Sequence, residues 1–165
     1  MLSFAVSIKT ELTESCILHP IPMLLEIDDS TRRFIVEHRV ARLATADGDG
    51  GPVVIPICYA FDGESVYSPV DEKPKSVPAR KLKRVRNIEI NPRVSLIIDD
   101  YSEDWSKLRW VLIYGLAEIM LPHSQEHERA VALLREKYSQ YRRMAIDERM
   151  IIKIQPTRIR RWDAR

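Results

Sequence analysis

Two short glycine-containing turns near the start of the chain restrict how its strands can be connected. Residues 47–51 read DGDGG and residues 62–63 read DG, with a β-type run, residues 53–61, between them. Turns this short join antiparallel neighbours, because a parallel connection needs a crossover of a dozen or more residues. Loosely alternating residues precede the first turn at 40–45, and a short β-type run follows the second at 66–68. The pattern predicts three successive antiparallel strands.

Three helices are predicted from capping residues followed by apolar residues at helical spacing. The predicted ranges are about 28–38, 76–91 and 124–138. Any of the residues at 28–30 can cap the first helix. Ser76 can cap the second, along which Leu82, Val85 and Ile88 recur as a buried side, and Asn91-Pro92 ends it.

Further strands are predicted at 94–99, 108–120 and 151–162, the last one bent at Pro156. Gly115 inside the long second strand of this set indicates a bulge or bend of the kind that a closing barrel needs. The resulting order is helix, three strands, helix, two strands, helix and strand. Because the hairpins are short and parallel crossovers are few, this order predicts a mainly β protein. The expected architecture is a small antiparallel barrel with peripheral helices rather than a doubly wound sheet.

The composition favours one globular domain. The chain has 165 residues, 45% hydrophobic and 30% charged, which is enough for a sizeable core. Pro20 and Pro22 set residues 1–26 apart, as an N-terminal extension to a domain at 27–165. Cys16 and Cys58 make no disulfide framework, which favours a reducing cytoplasm. No membrane span is expected, because no apolar run approaches roughly 20 residues. No signal peptide is expected, because residues 1–26 lack a basic start followed by a continuous apolar centre.

Positive charge is concentrated in one segment. Residues 73–86 contain seven cations and no acid, whereas the whole chain carries a net charge of only +2, so the remainder is net negative. The seven are Lys73, Lys75, Arg80, Lys81, Lys83, Arg84 and Arg86. A local cluster beside a helix start suits a compact anion such as a phosphate, since the side chains add to free backbone N–H donors there. The alternative is a solvated helix face with a basic bias.

Motifs for metal binding and covalent catalysis are weak. A calcium loop starting at Asp47 would need a glycine and a carboxylate where Pro52 and Cys58 stand. The HSQEH string at 123–127 matches an inverted zinc-peptidase motif, but its first histidine falls at a helix boundary after Pro122. No metal site is therefore predicted. No nucleophile elbow, P-loop or dinucleotide motif is present, so no catalytic residue is indicated.

Two tryptophans flank the start of the long strand, where planar rings can lie against a planar ligand. Trp105 lies in a polar loop and is the better candidate for a ligand contact. Trp110 lies within the apolar strand and is better explained as a core or interface residue.

Five segments of the chain carry a resemblance to a known family. They are RVARLAT from Arg39, GPVVIPICYAFDGESVYS, DEKPK, RNIEINPRVSLIID and DDYSEDWSKLRWV. In order and spacing they resemble the pyridoxamine 5′-phosphate oxidase-like split β-barrel family, and within it the branch of probable coenzyme F420-dependent enzymes. The resemblance covers about residues 28–162. It implies a six-stranded antiparallel split barrel of the FMN-binding type, forming a homodimer with FMN or F420 in a groove between the subunits.

The resemblance also implies which residues bind the cofactor. The residues expected to line its ring are Val53, Val54, Ile55, Pro56, Tyr67 and Ser68. The first candidates for its phosphate are Lys73 and Lys75, reached by counting forward from Tyr67-Ser68. The second candidates are Arg80, Lys81 and Arg84, of which Arg84 is reached by counting back from Asn91-Pro92. Trp105 completes the set of expected cofactor contacts.

The implied activity is hydride transfer between the cofactor ring and a small planar substrate, for which the protein supplies position and electrostatics. Residues 160–162 stand where oxidases of the family place substrate-side residues, but their pyridoxal phosphate-binding pattern is not recognisable, which disfavours pyridoxamine phosphate oxidase activity. A non-catalytic flavin-binding or stress-associated protein is the main alternative. A nucleic-acid-binding module is disfavoured by the net negative remainder of the chain.

Overall fold

The computed structural model describes residues 26–70 and 79–164, so most of the predicted extension at 1–26 lies outside the described residues. The described helices and strands are α1 (Asp29–Glu37), β1 (Val40–Ala46), β2 (Pro52–Cys58), β3 (Ala60–Phe61), β4 (Val66–Pro69), α2 (Lys83–Ile90), β5 (Arg93–Asp100), β6 (Arg109–Met120), α3 (Gln125–Lys137) and β7 (Ile151–Asp163). The predicted order of helices and strands is confirmed, with one strand divided into two.

The strands form one curled antiparallel sheet in the order β2-β1-β5-β6-β7-β4-β3. Residues 53–61, predicted as a single strand, contribute to both β2 and β3, which is why the sheet has seven strands rather than six. These two strands lie at opposite edges of the sheet although only Tyr59 separates them. The sheet must therefore curl until its edges approach each other. The predicted mainly β split barrel is confirmed as this half-barrel.

Tyr59, at the crossing between the two edges, is fully buried and hydrogen-bonded. Its hydroxyl donates to the carbonyl oxygen of Ile35 at 2.7 Å, and its N–H donates to the hydroxyl oxygen of Tyr138 at 3.0 Å. The crossing is thereby fixed to α1 on one side and to the end of α3 on the other.

Both outer helices begin at the predicted caps. The Asp28 carboxylate accepts hydrogen bonds from the N–H of Thr31 at 2.9 Å and from the hydroxyl of Ser30 at 2.6 Å. These bonds hold the pKa of Asp28 well below its ordinary value. Ser124 accepts a bond from the N–H of His127 at 3.1 Å and so caps α3.

β6 and β7 form the longest pair of the sheet, interrupted by one bulge. Tyr114 pairs with Arg158 and Gly115 pairs with Pro156, so Thr157 is the extra residue. A bulge suits proline because the residues around it leave the regular ladder of hydrogen bonds. The irregularity predicted at Gly115 and the bend predicted at Pro156 are therefore confirmed as one feature.

Apolar side chains form two buried clusters. The larger fills the inside of the curled sheet, around Leu43, Leu96 and Ile113. The smaller lies beneath α3, around Leu134 and Ile151. Within the described ranges, no helix is both long enough and apolar enough to cross a membrane.

Candidate cofactor-binding site

Helix α2 carries part of the predicted anion site and packs against β1 and β6. Its core-facing residues are Leu82, Val85 and Ile88, as predicted. The helix begins at Lys83 after a short 3-10 turn, Ala79–Lys81. The predicted start of this helix at Ser76 is therefore wrong, because the N-cap of α2 is Leu82; Ser76 itself lies outside the described residues. Lys73 and Lys75, the first candidates for the phosphate, also lie outside them.

The first turn of α2 has cations but no side-chain cap. Its N-cap is Leu82, whose side chain makes no capping hydrogen bond. Backbone N–H groups at such a helix start carry partial positive charge and can donate to an external anion. Lys81 and Arg84 lie within one turn of this point; Lys81 is exposed and Arg84 is half-buried. The helix start therefore combines backbone and side-chain donors suited to a phosphate.

Lys83 ties this helix start to the hairpin between β1 and β2. Its ammonium group lies 2.7 Å from a carboxylate oxygen of Asp47. The other oxygen of Asp47 accepts the N–H of Gly51 at 2.6 Å. Both contacts favour the charged carboxylate and lower the pKa of Asp47. The DGDGG segment is thus a hairpin turn that holds α2 in place.

A buried polar contact joins α2 to the sheet. The side-chain amide of Asn87 donates to the hydroxyl of Thr45 at 3.0 Å, and both residues are buried. Thr45 pairs with Val53 on β2. Because Arg84 precedes Asn87 by one helical turn, the basic start of α2 lies at the same end of the sheet as Val53. The structure therefore brings together two predicted parts of the site, β2 and the start of α2.

The four predicted residues of β2 alternate between the two sides of the sheet. Ile55 packs against the barrel core, whereas Val54 and Pro56 are exposed on the outer side. Among the described residues, β2 is an edge strand, so one of its edges is not paired with another strand and its outer side is exposed. The strand can therefore contact a planar ligand through its backbone and through Val54 and Pro56.

Tyr67 and Ser68 are buried in β4, which pairs with β3 and β7 and comes close to β2 where the edges of the curled sheet approach each other. The hydroxyl of Tyr67 lies 2.9 Å from a carboxylate oxygen of Asp62 and 3.0 Å from one of Glu126, and burial raises the pKa of this tyrosine above its ordinary value. Its ring belongs to the cluster beneath α3. Ser68 pairs with Ile152 of β7. The ring of Tyr67 is thus packed beneath α3, and Cys58, the last residue of β2, packs against the same cluster.

Two other predicted residues lie apart from β2. Arg80 lines a groove of about 370 Å³ with Glu89 and with Ala117 of β6. Trp105 is exposed on a 3-10 turn in the loop between β5 and β6, which follows the end of β5 at Asp100. Within a single chain, neither residue is brought next to Val53.

The outer side of the sheet is apolar along β6, a feature that the sequence analysis did not use. Val54, Ala44, Ser95, Tyr114 and Arg158 form one row across five strands. Above and below this row lie exposed Leu116 and the stacked rings of Trp110 and Trp162, whose centroids are 6.2 Å apart. Apolar residues on both sides of residues 109–120 were the signal for this, since a strand with a solvent-facing side usually alternates with polar residues. Such an exposed apolar surface is typical of an interaction site.

Replacing Asn87 with alanine is expected to loosen α2 from the sheet. The variant leaves the buried hydroxyl of Thr45 without its partner, at an expected cost of about 1–3 kcal/mol in the free energy of unfolding. Urea denaturation measures this loss. Glu89→Ala, an exposed change on the same helix, is the control and should cost less than about 0.5 kcal/mol. Equal losses for the two variants would contradict the assignment of Asn87 as the residue that fixes α2.

A curled antiparallel half-barrel, with a basic helix start beside an open edge strand, defines the class of split β-barrel proteins. Sequence comparison then specifies the family. The chain belongs to the pyridoxamine 5′-phosphate oxidase family, whose sequence profile matches residues 27–163. No curated protein sequence matches the chain.

Solved structures show the same fold in proteins with different functions. HutZ, a haem storage protein from Vibrio cholerae, has 17% identity and a TM-score of 0.65, covering 81% of this chain and 92% of that chain. A FAD-binding protein from Mesorhizobium loti has 24% identity and a TM-score of 0.59, covering 80% and 89%. An F420 reductase has 22% identity and a TM-score of 0.58, covering 81% and 98%. At these identities the likeness shows the fold alone.

Proposed function

We propose that this protein is an oxidoreductase that uses FMN or coenzyme F420 to transfer hydride to or from a small planar substrate. Membership of the family and the fold shared with FAD-binding and F420 proteins support a flavin or deazaflavin. The observation that carries the proposal is the uncapped, basic start of α2 beside the open strand β2. If the cations of α2 were only a solvated face of the helix, they would not need to lie beside β2.

The residues at this site fit the phosphate of either cofactor. Lys81, Arg84 and the first N–H groups of α2 would hold the phosphate, since charge-assisted hydrogen bonds from several donors suit its oxygens. Lys73 and Lys75 remain part of the proposed site through the family resemblance. Lys83 acts indirectly, because its bond to Asp47 sets the position of the helix start.

The strand β2 would hold the cofactor ring. Val54 and Pro56 present apolar surface to a planar ring, and the free backbone edge of β2 offers hydrogen-bonding groups. When bound, the cofactor supplies the hydride chemistry. The protein then has to orient the ring and exclude water from it, which requires a second surface over the outer side of the sheet.

A second copy of the chain would provide that surface. Tyr114, Leu116 and Trp162 are exposed on the outer side of the sheet although they are large and apolar. Covering them in a two-fold dimer removes this apolar area from water. The same dimer would bring residues of the partner towards the edge of β2.

Placing a charge on this apolar face is expected to dissociate the dimer. Tyr114→Glu buries a carboxylate at the proposed interface, so the dimer dissociation constant should rise by about tenfold or more. Light scattering across a dilution series measures the change. Tyr101→Glu introduces the same charge at an exposed loop residue and should leave the constant unchanged. A Tyr114→Glu protein that dimerises as the parent does would contradict this interface.

A haem function is less well supported by the described residues. Haem iron is commonly held by a histidine with an available ring nitrogen. His38 has its ring nitrogens 2.6 Å from the Phe34 carbonyl oxygen and 2.7 Å from Asp100, and His127 is bonded to the Arg149 carbonyl oxygen at 2.7 Å. In residues 26–70 and 79–164, no histidine belongs to β2, to α2 or to the outer side of the sheet. A non-catalytic flavin-binding protein therefore remains the main alternative function.

Titration of the cofactor-stripped protein with FMN and with F420, in separate samples, tests the proposal. Fluorescence reports binding, and the oligomeric state is measured in the same samples. Tight binding of one cofactor with two sites per dimer is the expected result, and reduction of the bound cofactor followed by a substrate screen then separates an enzyme from a binding protein. Failure of both cofactors to bind would overturn the proposed function.

A further inference from the structure

Three exposed charged residues line one cavity without pairing to one another. The cavity has a volume of about 470 Å³ and lies between the end of α1, β3 and the end of α3. Glu37 and Arg39 line it from the end of α1, and Glu136 lines it from α3. Within residues 26–70 and 79–164, neither carboxylate has an ion-pair or hydrogen-bond partner, and Arg39 is paired with no carboxylate.

Neighbouring charged residues elsewhere in the structure do pair. Arg135, on the same helix as Glu136, lies 2.7 Å from a carboxylate oxygen of Asp147. Lys83 and Asp47 are joined across two segments at the same distance. The charges that line the cavity therefore remain available to a molecule that enters it.

The guanidinium group of Arg39 is held in position by the end of α3. One of its nitrogens donates to the carbonyl oxygen of Lys137 at 2.7 Å, and the group lies 5.5 Å from the centre of the Tyr138 ring. A guanidinium group has five N–H donors in a planar fork, so others can bind a carboxylate. Because Glu136 directly precedes Lys137, a positive and a negative group lie close together on this wall of the cavity.

Lys137 adds positive charge behind the wall rather than a contact in the cavity. Its amine is shielded from solvent and lies 4.1 Å from the centre of the Tyr59 ring. Burial lowers the pKa of Lys137 to about 8, so the amine is still mostly charged at neutral pH. The cavity is thus lined by two negative and two positive residues. This balance favours a molecule that has no net charge but carries one group of each sign.

The rest of the lining is apolar. Ala60 and Phe61 of β3 are buried beneath the cavity, and Leu133 of α3 is half-buried beside it. Val36 remains 47% exposed although its side chain is apolar. A cavity of this size holds a small organic molecule, and its apolar lining suits an aliphatic side chain.

We propose that this cavity binds a small zwitterion with an apolar side chain, the chemical class of the free apolar α-amino acids. Arg39 holds the carboxylate, and Glu37 and Glu136 hold the ammonium group. The apolar lining contacts the side chain. The site is separate from the proposed cofactor site and does not depend on it.

Titration with L-leucine and two truncated analogues tests this proposal. 4-Methylpentanoate lacks the ammonium group and leucinamide lacks the carboxylate, whereas both keep the aliphatic side chain. Each analogue is expected to bind at least about fivefold more weakly than leucine, because it loses charge-assisted hydrogen bonds. NMR titration measures the affinities, and shifts of the Val36 and Leu133 methyl signals locate the binding. Equal affinity for the three compounds, or no shift with leucine up to about 10 mM, would overturn the proposal.

A carboxylate variant tests the assigned role of Glu136. Glu136→Gln replaces the negative group with a neutral one of similar shape and should weaken leucine binding by about fivefold or more. It should not weaken binding of 4-methylpentanoate, which has no ammonium group. Glu128→Gln is the matched control, since Glu128 is exposed on the same helix but does not line the cavity, and it should leave both affinities unchanged. An equal loss for leucine and 4-methylpentanoate in Glu136→Gln would contradict a contact with the ammonium group.

A variant of Arg39 tests the carboxylate contact in the same way. Arg39→Gln should remove the preference for leucine over leucinamide, because both compounds then lack a positive partner at this position. The preference for leucine over 4-methylpentanoate should remain, since Glu37 and Glu136 are unchanged. Because each result is a ratio of two affinities in one protein, a general loss of folded protein does not imitate it. A preference over leucinamide that is the same in Arg39→Gln and the parent would overturn the assignment of Arg39.

Discussion

Simultaneous replacement of Lys81 and Arg84 with alanine is expected to weaken the binding of FMN or F420 by about 100-fold or more. A hydrogen bond to a charged group contributes about 1.5–3 kcal/mol, so two such bonds to a phosphate contribute at least about 3 kcal/mol. A factor of ten in the dissociation constant corresponds to about 1.4 kcal/mol. Fluorescence titration of the variant and the parent measures the difference.

The control for this variant keeps the net charge change the same. Arg86→Ala with Lys107→Ala also removes two cations, one on the exposed side of α2 and one at the far end of the sheet. Its cofactor affinity should fall by less than about threefold, because only long-range screened attraction is lost. If the two double variants bind equally well, Lys81 and Arg84 do not hold the phosphate. Lys73→Ala with Lys75→Ala then tests the other candidate residues.

Gly115→Ala is expected to destabilise the sheet at the bulge between β6 and β7. A Cβ atom at this position would lie 2.7 Å from the backbone oxygen of Gln155 and 2.7 Å from a methyl carbon of Ile154. The backbone of β7 cannot move aside without disturbing the bulge at Thr157, so the expected cost is about 1–3 kcal/mol. In a protein of this length, each kcal/mol lowers the melting temperature by about 2–4 °C.

Gly48→Ala provides the control for this prediction. A Cβ at Gly48 would meet only a methyl carbon of Ile90 at 3.5 Å, which is an ordinary contact. Its stability should change by less than about 0.5 kcal/mol. Thermal unfolding of both variants checks the pair of expectations. A Gly115→Ala protein as stable as Gly48→Ala would show that the bulge absorbs a side chain, contrary to the packing described here.

Helices and turns were predictable because their signals lie close together in the chain. Asp28 and Ser124 each cap a helix through a hydrogen bond to the residue three positions later. The apolar side of α2 follows from spacing within one short segment. Gly115 and Pro156 each marked an irregularity in its own strand, but only the pairing of β6 with β7 shows that they belong to the same bulge.

The candidate site was only partly predictable. The sequence indicated β2 and a basic helix, and the structure brings them together through Thr45 and Asn87, which are 42 positions apart. The sequence did not reveal that the Tyr67 ring lies beneath α3, because its bond to Glu126 depends on how α3 packs against β4.

The sequence alone thus determined the order of the helices and strands, the antiparallel class and the location of the positive charge, because each depends on local propensities and on spacing along the chain. Tertiary structure decided which of these features meet. Only residue 59 separates two strands that lie at opposite edges of the sheet. Trp110 stacks on Trp162, which lies 52 positions later in the chain. Such contacts depend on the register and curl of the whole sheet, which are set by the burial of apolar surface from distant segments. The sequence of any one segment does not show which other segment it will contact.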